Sequence, residues 1–499
     1  MNKSKYERFC ELNRKIAVLS SAAGLLSWDQ ETYMPPQGAL IKAEQMGVLS
    51  GIIHSLKTDK ELVELTHELL NDSSLDEVAR TNVYEFNRSL QKSLRLSTEF
   101  VEELNRAISA AYPAWHQAKT ENRFELFAPH LEKLIELKKQ EIQLIGYQMH
   151  PYDALMDDYE PGLTTVELDR MFGDVRSQLV PFVQNITKQP APADDFFRQP
   201  FDSTEQIAFG RSVLEAMGYD FASGRMDRTE HPFCIGLHPG DVRVTYKLKP
   251  EDISEMIWGL IHEGGHALYE QGLPADQFGL ASGTAASLAI HESQSRFWEN
   301  NIGRSAAFWN YFFPKLQRLF PDQLSHIDSF VFYKGANRVV PSLIRIQADE
   351  LTYHFHIMIR YEVEKAIFEG KLSVNDLPTV WNQRYKEYLG LDVPNDAQGV
   401  LQDVHWCHGG FGYFPTYSLG SFYAAQFHHT ISQELNLEEL VSQGNLIPIH
   451  NWLKENIHRH GMRYRAQQLC EQVTGEKLSF AYFMQYAKNK YGEIYQLNN

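Results

Sequence analysis

The sequence predicts a mainly α-helical protein, folded as a single large body with a small β insert. Three observations carry this expectation. Apolar residues recur at helical spacing along most of the chain. Strand-like alternation is confined to one short stretch. No internal repeat, low-complexity tract or linker-like composition shift separates independent domains.

The helical stripes are specific. Tyr6, Phe9, Ile16 and Leu19 mark the first. Leu131, Leu134, Ile135, Ile142 and Ile145 mark another, inside a charged segment from Glu132 to Glu141 whose opposite side faces solvent. A third helix is predicted to begin at Pro341, a residue suited to a first turn, and to end before Gly370. Its apolar positions are Ile344, Leu351, Phe355, Met358, Ile359 and Ile367. A further helix opens near Pro250, with Glu251 and Asp252 in its first turn, carries Ile253, Met256, Ile257, Leu260 and Ile261 on one face, and stops at Gly272 and Pro274. The best strand runs from Asp241 to Tyr246, where Val242 and Val244 alternate with Arg243 and Thr245 after the Pro239-Gly240 turn. Lys188 to Asp195 reads as a loop, and the chain breaks again near Pro394-Asn395.

Composition excludes several partners. Of 499 residues, 43% are hydrophobic and 22% charged, the mix of a folded soluble chain. A net charge of −17 repels phosphate backbones and anionic lipid, so neither nucleic acid nor a membrane is an expected partner. No run approaches the roughly 18 apolar residues that span a bilayer, and the opening residues show no apolar core of a secretory signal. The four cysteines, Cys10, Cys234, Cys407 and Cys470, lie far apart, as expected of reduced thiols in the cytoplasm.

Residues 262–266 read His-Glu-Gly-Gly-His. Histidines at i and i+4 share one helix face, so both imidazoles can reach one ion. The intervening Glu263 is rotated by about 100°, beside the ion rather than on it, where it can take a proton from metal-bound water. With 20 His and 64 acidic residues, this spacing with an acid arises by chance on the order of 0.1 times. Gly264 and Gly265 each cost about 1 kcal/mol in a helix interior, and a bare surface beside the ion would admit substrate backbone. A catalytic zinc site needs a third protein ligand. His291 and Glu292, in the helical stretch Leu288 to Arg296, both qualify, and spacing does not choose between them.

Several motifs recur in a known order. The opening carries Trp28-Asp29-Gln30-Glu31-Thr32-Tyr33-Met34-Pro35-Pro36-Gln37-Gly38, followed by Tyr152-Asp153-Ala154-Leu155 and Tyr159-Glu160-Pro161-Gly162. Then come His231-Pro232-Phe233; Asp241, Arg243 and Thr245; His262 to His266; His291-Glu292-Ser293-Gln294; Ile344, Arg345, Ala348 and Asp349; and Gly399, Gln402, Asp403, His405 and Trp406. Over nearly its whole length the chain resembles the carboxypeptidase Taq family of metallocarboxypeptidases. The resemblance implies Glu292 as third ligand, zinc or cobalt as the ion, and a homodimer. It implies stepwise removal of C-terminal residues from peptides with broad specificity. It also implies a helical fold with a long central groove, akin to neurolysin and angiotensin-converting enzyme. Residues 1–499 are then one catalytic domain: a helical part at 1–187 covering the groove, the metal and substrate motifs at 231–423, and C-terminal helices at 424–499.

The chemistry names further candidates. The tetrahedral intermediate needs a donor, for which His405, Tyr413 and Tyr417 are the choices. A free terminal carboxylate calls for a semi-buried arginine. Arg345, read as facing inward from an apolar helix, is preferred to Arg243, and either could instead form an internal ion pair, with Asp349 or Asp241. Asp241, Thr245, His231, Gln402 and Trp406 complete the expected substrate residues. The rival readings are an endopeptidase or dipeptidase with the same chemistry, and a helical metal-binding protein without activity.

Overall fold

The computed structural model describes residues 4–497. The first helix, Lys5–Thr32, starts at a capping box: the Ser4 hydroxyl accepts from the Glu7 N–H (3.2 Å), and the Glu7 carboxylate accepts from the Ser4 N–H (2.7 Å). Its buried Phe9 and Ile16 join Leu62, Leu69, Val83 and Leu280 in one apolar cluster. Helix Ala128–Ile145 buries Leu131, Leu134, Ile135 and Ile142, as its stripe predicts.

The helix carrying the two spaced histidines spans Ile253–Gly272. It starts slightly later than expected, because Asp252 is the N-cap and its carboxylate accepts from the Ser254 N–H at 2.9 Å. Ile253, Met256, Ile257, Leu260 and Ile261 are all buried. Against this helix packs a three-stranded sheet, β1 (Gly224–Arg228), β2 (Cys234–His238) and β3 (Asp241–Tyr246), in the order β1-β3-β2. β3 runs parallel to β1, with Gly224 opposite Val242, and antiparallel to β2, with Cys234 opposite Val244. The alternation in β3 buries Val242 and Val244 and leaves Asp241 and Arg243 half-exposed.

The helix expected from Pro341 is a correction. Residues 337–352 are irregular apart from a short 3-10 turn at Arg345–Gln347, and the helix itself is Tyr353–Phe368. Side chains have claimed the backbone donors that a helix would use. The Asp349 carboxylate accepts from the N–H groups of Val340, Leu351 and Thr352, and the Arg345 N–H donates to Gln402 Oε1 at 2.9 Å.

The chain divides into two compact units. One comprises residues up to Gln91, Ala193–Ala336 and Tyr423–Leu478; the other comprises Lys92–Pro192, Asn337–Phe422 and the residues from Ser479 onward. The sheet and the histidine helix belong to the first unit, and helix Tyr353–Phe368 belongs to the second.

Candidate metal centre and substrate residues

In the first unit, His262, His266 and Glu292 bring one ligand atom each to a common point, all within 4.8 Å of one another. Glu292 lies on helix Leu288–Arg296, whose N-cap Ser287 accepts from the Ile290 N–H. Its Oε2 is 3.6 Å from His262 Nε2 and 3.4 Å from His266 Nε2. The other nitrogen of each ring is engaged elsewhere. His262 Nδ1 meets Glu299 Oε2 at 2.9 Å, and His266 Nδ1 meets the His291 carbonyl at 3.1 Å. Both acceptors require Nδ1 to carry the proton, which leaves both Nε2 lone pairs for an ion. Two imidazoles and a carboxylate are the donor set of a catalytic zinc site, so these residues fit a divalent ion.

His291, the alternative ligand, turns away. Its Nε2 meets Glu270 Oε1 at 2.9 Å, and its ring stacks on His266 with centroids 4.4 Å apart. Charge sorts the titrations. Burial pushes Glu292 up, but Arg296 and the two histidines more than reverse this and hold it well below the carboxylate range. The two rings move oppositely. Burial takes His266 down to about 3, whereas at His262 the Glu292 and Glu299 carboxylates outweigh burial and raise it. An ion on Nε2 would displace any such proton from His262.

Glu263 is buried, at 8% exposure, and among the described residues it accepts no hydrogen bond and joins no ion pair. Burial raises it to about 7. Gly264 and Gly265 do not form the bare surface expected for substrate. A Cβ on Gly265 would sit 2.6 Å from the backbone of Gln294 and Ser295, and one on Gly264 would sit 2.5 Å from Leu214 Cδ2. Gly265 allows close packing of the helix bearing Glu292, and Gly264 that of helix Ser203–Met217, which carries Leu214 and Met217. Also in this unit, Arg243 pairs with Asp241 at 2.8 Å and lies 4.5 Å from the Trp28 ring centre. Thr245 is fully buried and clasps both backbone groups of Phe233, while His231 is exposed.

In the second unit, Arg345 pairs with Asp403, through Nε at 3.0 Å and a terminal nitrogen at 2.9 Å, and not with Asp349. Its remaining nitrogen donates to the Tyr353 hydroxyl at 3.0 Å. Arg360, fully buried, holds the other Asp403 oxygen at 2.7 Å. Two guanidinium groups thus share one carboxylate and leave one positive charge over. Gln402 Nε2 donates to the Leu343 carbonyl. His405 packs on Phe414 (4.6 Å) and Tyr413 (5.4 Å), and burial lowers it to about 4, so it is neutral at pH 7. Tyr417 lies 5.2 Å from Tyr413 and 5.1 Å from the Arg345 guanidinium. Trp406 is buried, and its indole N–H donates to Glu364 at 2.7 Å, which makes it an anchor and not a surface for substrate.

Residues 8–491 match the family model described as carboxypeptidase Taq (M32) metallopeptidase. The chain belongs to that family. It is 41% identical to a carboxypeptidase 1 of Bacillus subtilis (strain 168), covering 99% of each chain. It is 38% identical to a thermostable carboxypeptidase 1 of Thermus thermophilus, covering 98% of this chain and 99% of that one. An M32 carboxypeptidase from Deinococcus radiodurans R1 has a closely similar structure, with a TM-score of 0.97 at 36% identity over 99% and 100% of the two chains. The protein is therefore a metallocarboxypeptidase, a mainly helical hydrolase of the carboxypeptidase Taq family.

Sequence reasoning missed three residues of this carboxypeptidase's two clusters. Glu299 sits seven residues after Glu292, on the same helix face, and that spacing was a readable signal. The π-helical turn Phe297–Gly303 that carries it was not. Arg360 and Glu364 lie on helix Tyr353–Phe368 among apolar neighbours, and only the fold shows that Asp403 and Trp406 come to meet them.

Proposed function

We propose that this metallocarboxypeptidase removes single residues from the C-termini of peptides, with broad specificity. The ligands would be His262, His266 and Glu292, the ion zinc, with cobalt as a substitute, and the base Glu263. One observation supports this reading above the others: three ligand atoms converge beside a buried carboxylate that has no protein partner. A bound divalent ion supplies Lewis acidity that polarises the scissile carbonyl and acidifies water. Glu263 takes the proton of the attacking water and returns it to the leaving amine. His405, neutral at pH 7, and the hydroxyls of Tyr413 and Tyr417 are the proposed donors to the developing oxyanion. Arg345 is the proposed anchor for the terminal carboxylate, its net charge kept by Arg360, which shares Asp403.

Peptides are the substrates of such an enzyme, and a cytoplasmic homodimer is the proposed assembly. All four cysteines are unpaired, which supports a reducing compartment, and no helix among the described residues is long and apolar enough to cross a membrane. Light scattering on the purified protein should give twice the mass of one chain.

The reaction is tested with an N-acetylated peptide, offered with a free or an amidated C-terminus, with and without chelator. Mass spectrometry should show a ladder of stepwise C-terminal losses from the free acid only, abolished by chelator. Internal cleavage of the amidated peptide would instead identify an endopeptidase.

A further inference from the structure

The two oxygens of Glu292 have different duties. Oε2 faces both His262 Nε2 and His266 Nε2, and it also accepts from the Ser295 hydroxyl at 3.1 Å. Oε1 is taken by Arg296, whose Nε donates to it at 2.7 Å. Arg296 lies one helical turn after Glu292, so this contact is built into the helix and needs no distant partner. Another nitrogen of the same guanidinium donates at 3.1 Å to Glu299 Oε2, the oxygen that orients His262. Arg304 reaches Glu299 Oε1 at 3.2 Å. Arg296 and Arg304 are largely buried, at 16% and 19% side-chain exposure.

A carboxylate beside a divalent ion can offer one oxygen or both, and taking the second fills a position that water or substrate would use. Here the second oxygen is occupied by a planar cation that cannot lose its proton. We propose that Arg296 is a positioning residue that restricts Glu292 to one donor oxygen and so keeps a position at the ion open for substrate. Charge points the same way. Glu292 and Glu299 are balanced by Arg296 and Arg304. The charge of an ion there is therefore offset by Glu263 alone among these acids, and it polarises more strongly than it would beside bare carboxylates. The inference rests on the reading of His262, His266 and Glu292 as the ligands.

Cobalt-loaded protein tests it, because the visible absorption of cobalt reports coordination number independently of activity. In Arg296→Gln, Glu292 Oε1 is released. The visible bands should weaken as the coordination number rises, while affinity measured against a competing chelator stays equal or tightens. Arg296→Lys keeps the charge but cannot reach both carboxylates, so it should weaken the bands in the same direction and serves if the glutamine variant does not fold. An unchanged spectrum in both variants overturns the proposal, and so does an unchanged spectrum with weakened cobalt binding, the mark of lost packing alone. His266→Ala is the control for the ligand assignment. If it binds cobalt with the wild-type spectrum, the ligand reading fails. If it loses the spectrum while the arginine variants keep theirs, only the role of Arg296 fails.

Discussion

Glu263 differs from the acids around it in what it lacks. Glu292 and Glu299 are each held by an arginine, whereas Glu263 is buried without a protein partner. That isolation suits the role proposed for Glu263, the base for the attacking water. Glu263→Gln keeps the size and removes the base, so kcat should fall by about 10²–10⁴-fold while metal content by mass spectrometry stays at the wild-type level; retained turnover would reject the assigned base. A second buried acid, Glu364, accepts from the Tyr152 hydroxyl (2.7 Å), the Trp406 indole (2.7 Å) and the Gly412 N–H (2.8 Å). Burial raises it from 4.5 to about 7, although those three donors pull the other way. Its folded-state value exceeds its unfolded one, so the folded state holds the extra proton between these values, and stability falls as pH rises through that window. The contribution is about 3 kcal/mol. Urea unfolding at pH 5 and pH 7.5 should show that component in the wild type and not in Glu364→Gln; parallel pH dependence would show that Glu364 does not titrate there.

At the scale of elements, the metal centre depends on how closely two helices approach. Gly265 lets the backbone at Gln294 and Ser295 lie against helix Ile253–Gly272, which fixes how far Glu292 stands from the two histidines. Gly265→Ala would press a methyl group onto backbone and should cost about 1–3 kcal/mol, with weaker metal binding. Gly264→Ala meets side-chain atoms of Leu214 and Met217, which can shift, so it should cost less. Thermal unfolding and metal titration of the two variants give the order; a reversed order would contradict this packing. The same elements show what the sequence could tell. Histidine spacing, an apolar face and a stop signal are local, and helix Ile253–Gly272 and strand β3 follow from them. The glycines read locally as an opening for substrate, because their partners, the backbone of Gln294 and Ser295 for Gly265 and the side chains of Leu214 and Met217 for Gly264, are distant in sequence. Pro341 read as a helix start for a similar reason. The acceptors that hold residues 337–352 out of a helix include Gln402, which no periodicity in that segment reveals.

At the scale of the whole molecule, each unit gathers its cluster from separated stretches of chain. His262 and Glu292 come from two neighbouring helices of one unit, whereas Arg345, Arg360 and Asp403 of the other meet across more than forty residues of sequence. The cluster of His262, His266 and Glu292 was legible because motifs compress it into short strings, and the buried ion-pair network was not, because its members lie among apolar positions. Chelation should abolish hydrolysis, and added zinc should restore it to the untreated rate; activity that survives exhaustive chelation would remove the ion from the reaction. The most direct test of the central claim is anomalous diffraction at the zinc edge from crystals of the zinc-loaded protein. One strong peak per chain is expected, within bonding distance of His262 Nε2, His266 Nε2 and Glu292 Oε2, and a peak elsewhere with none at these three atoms would contradict the account.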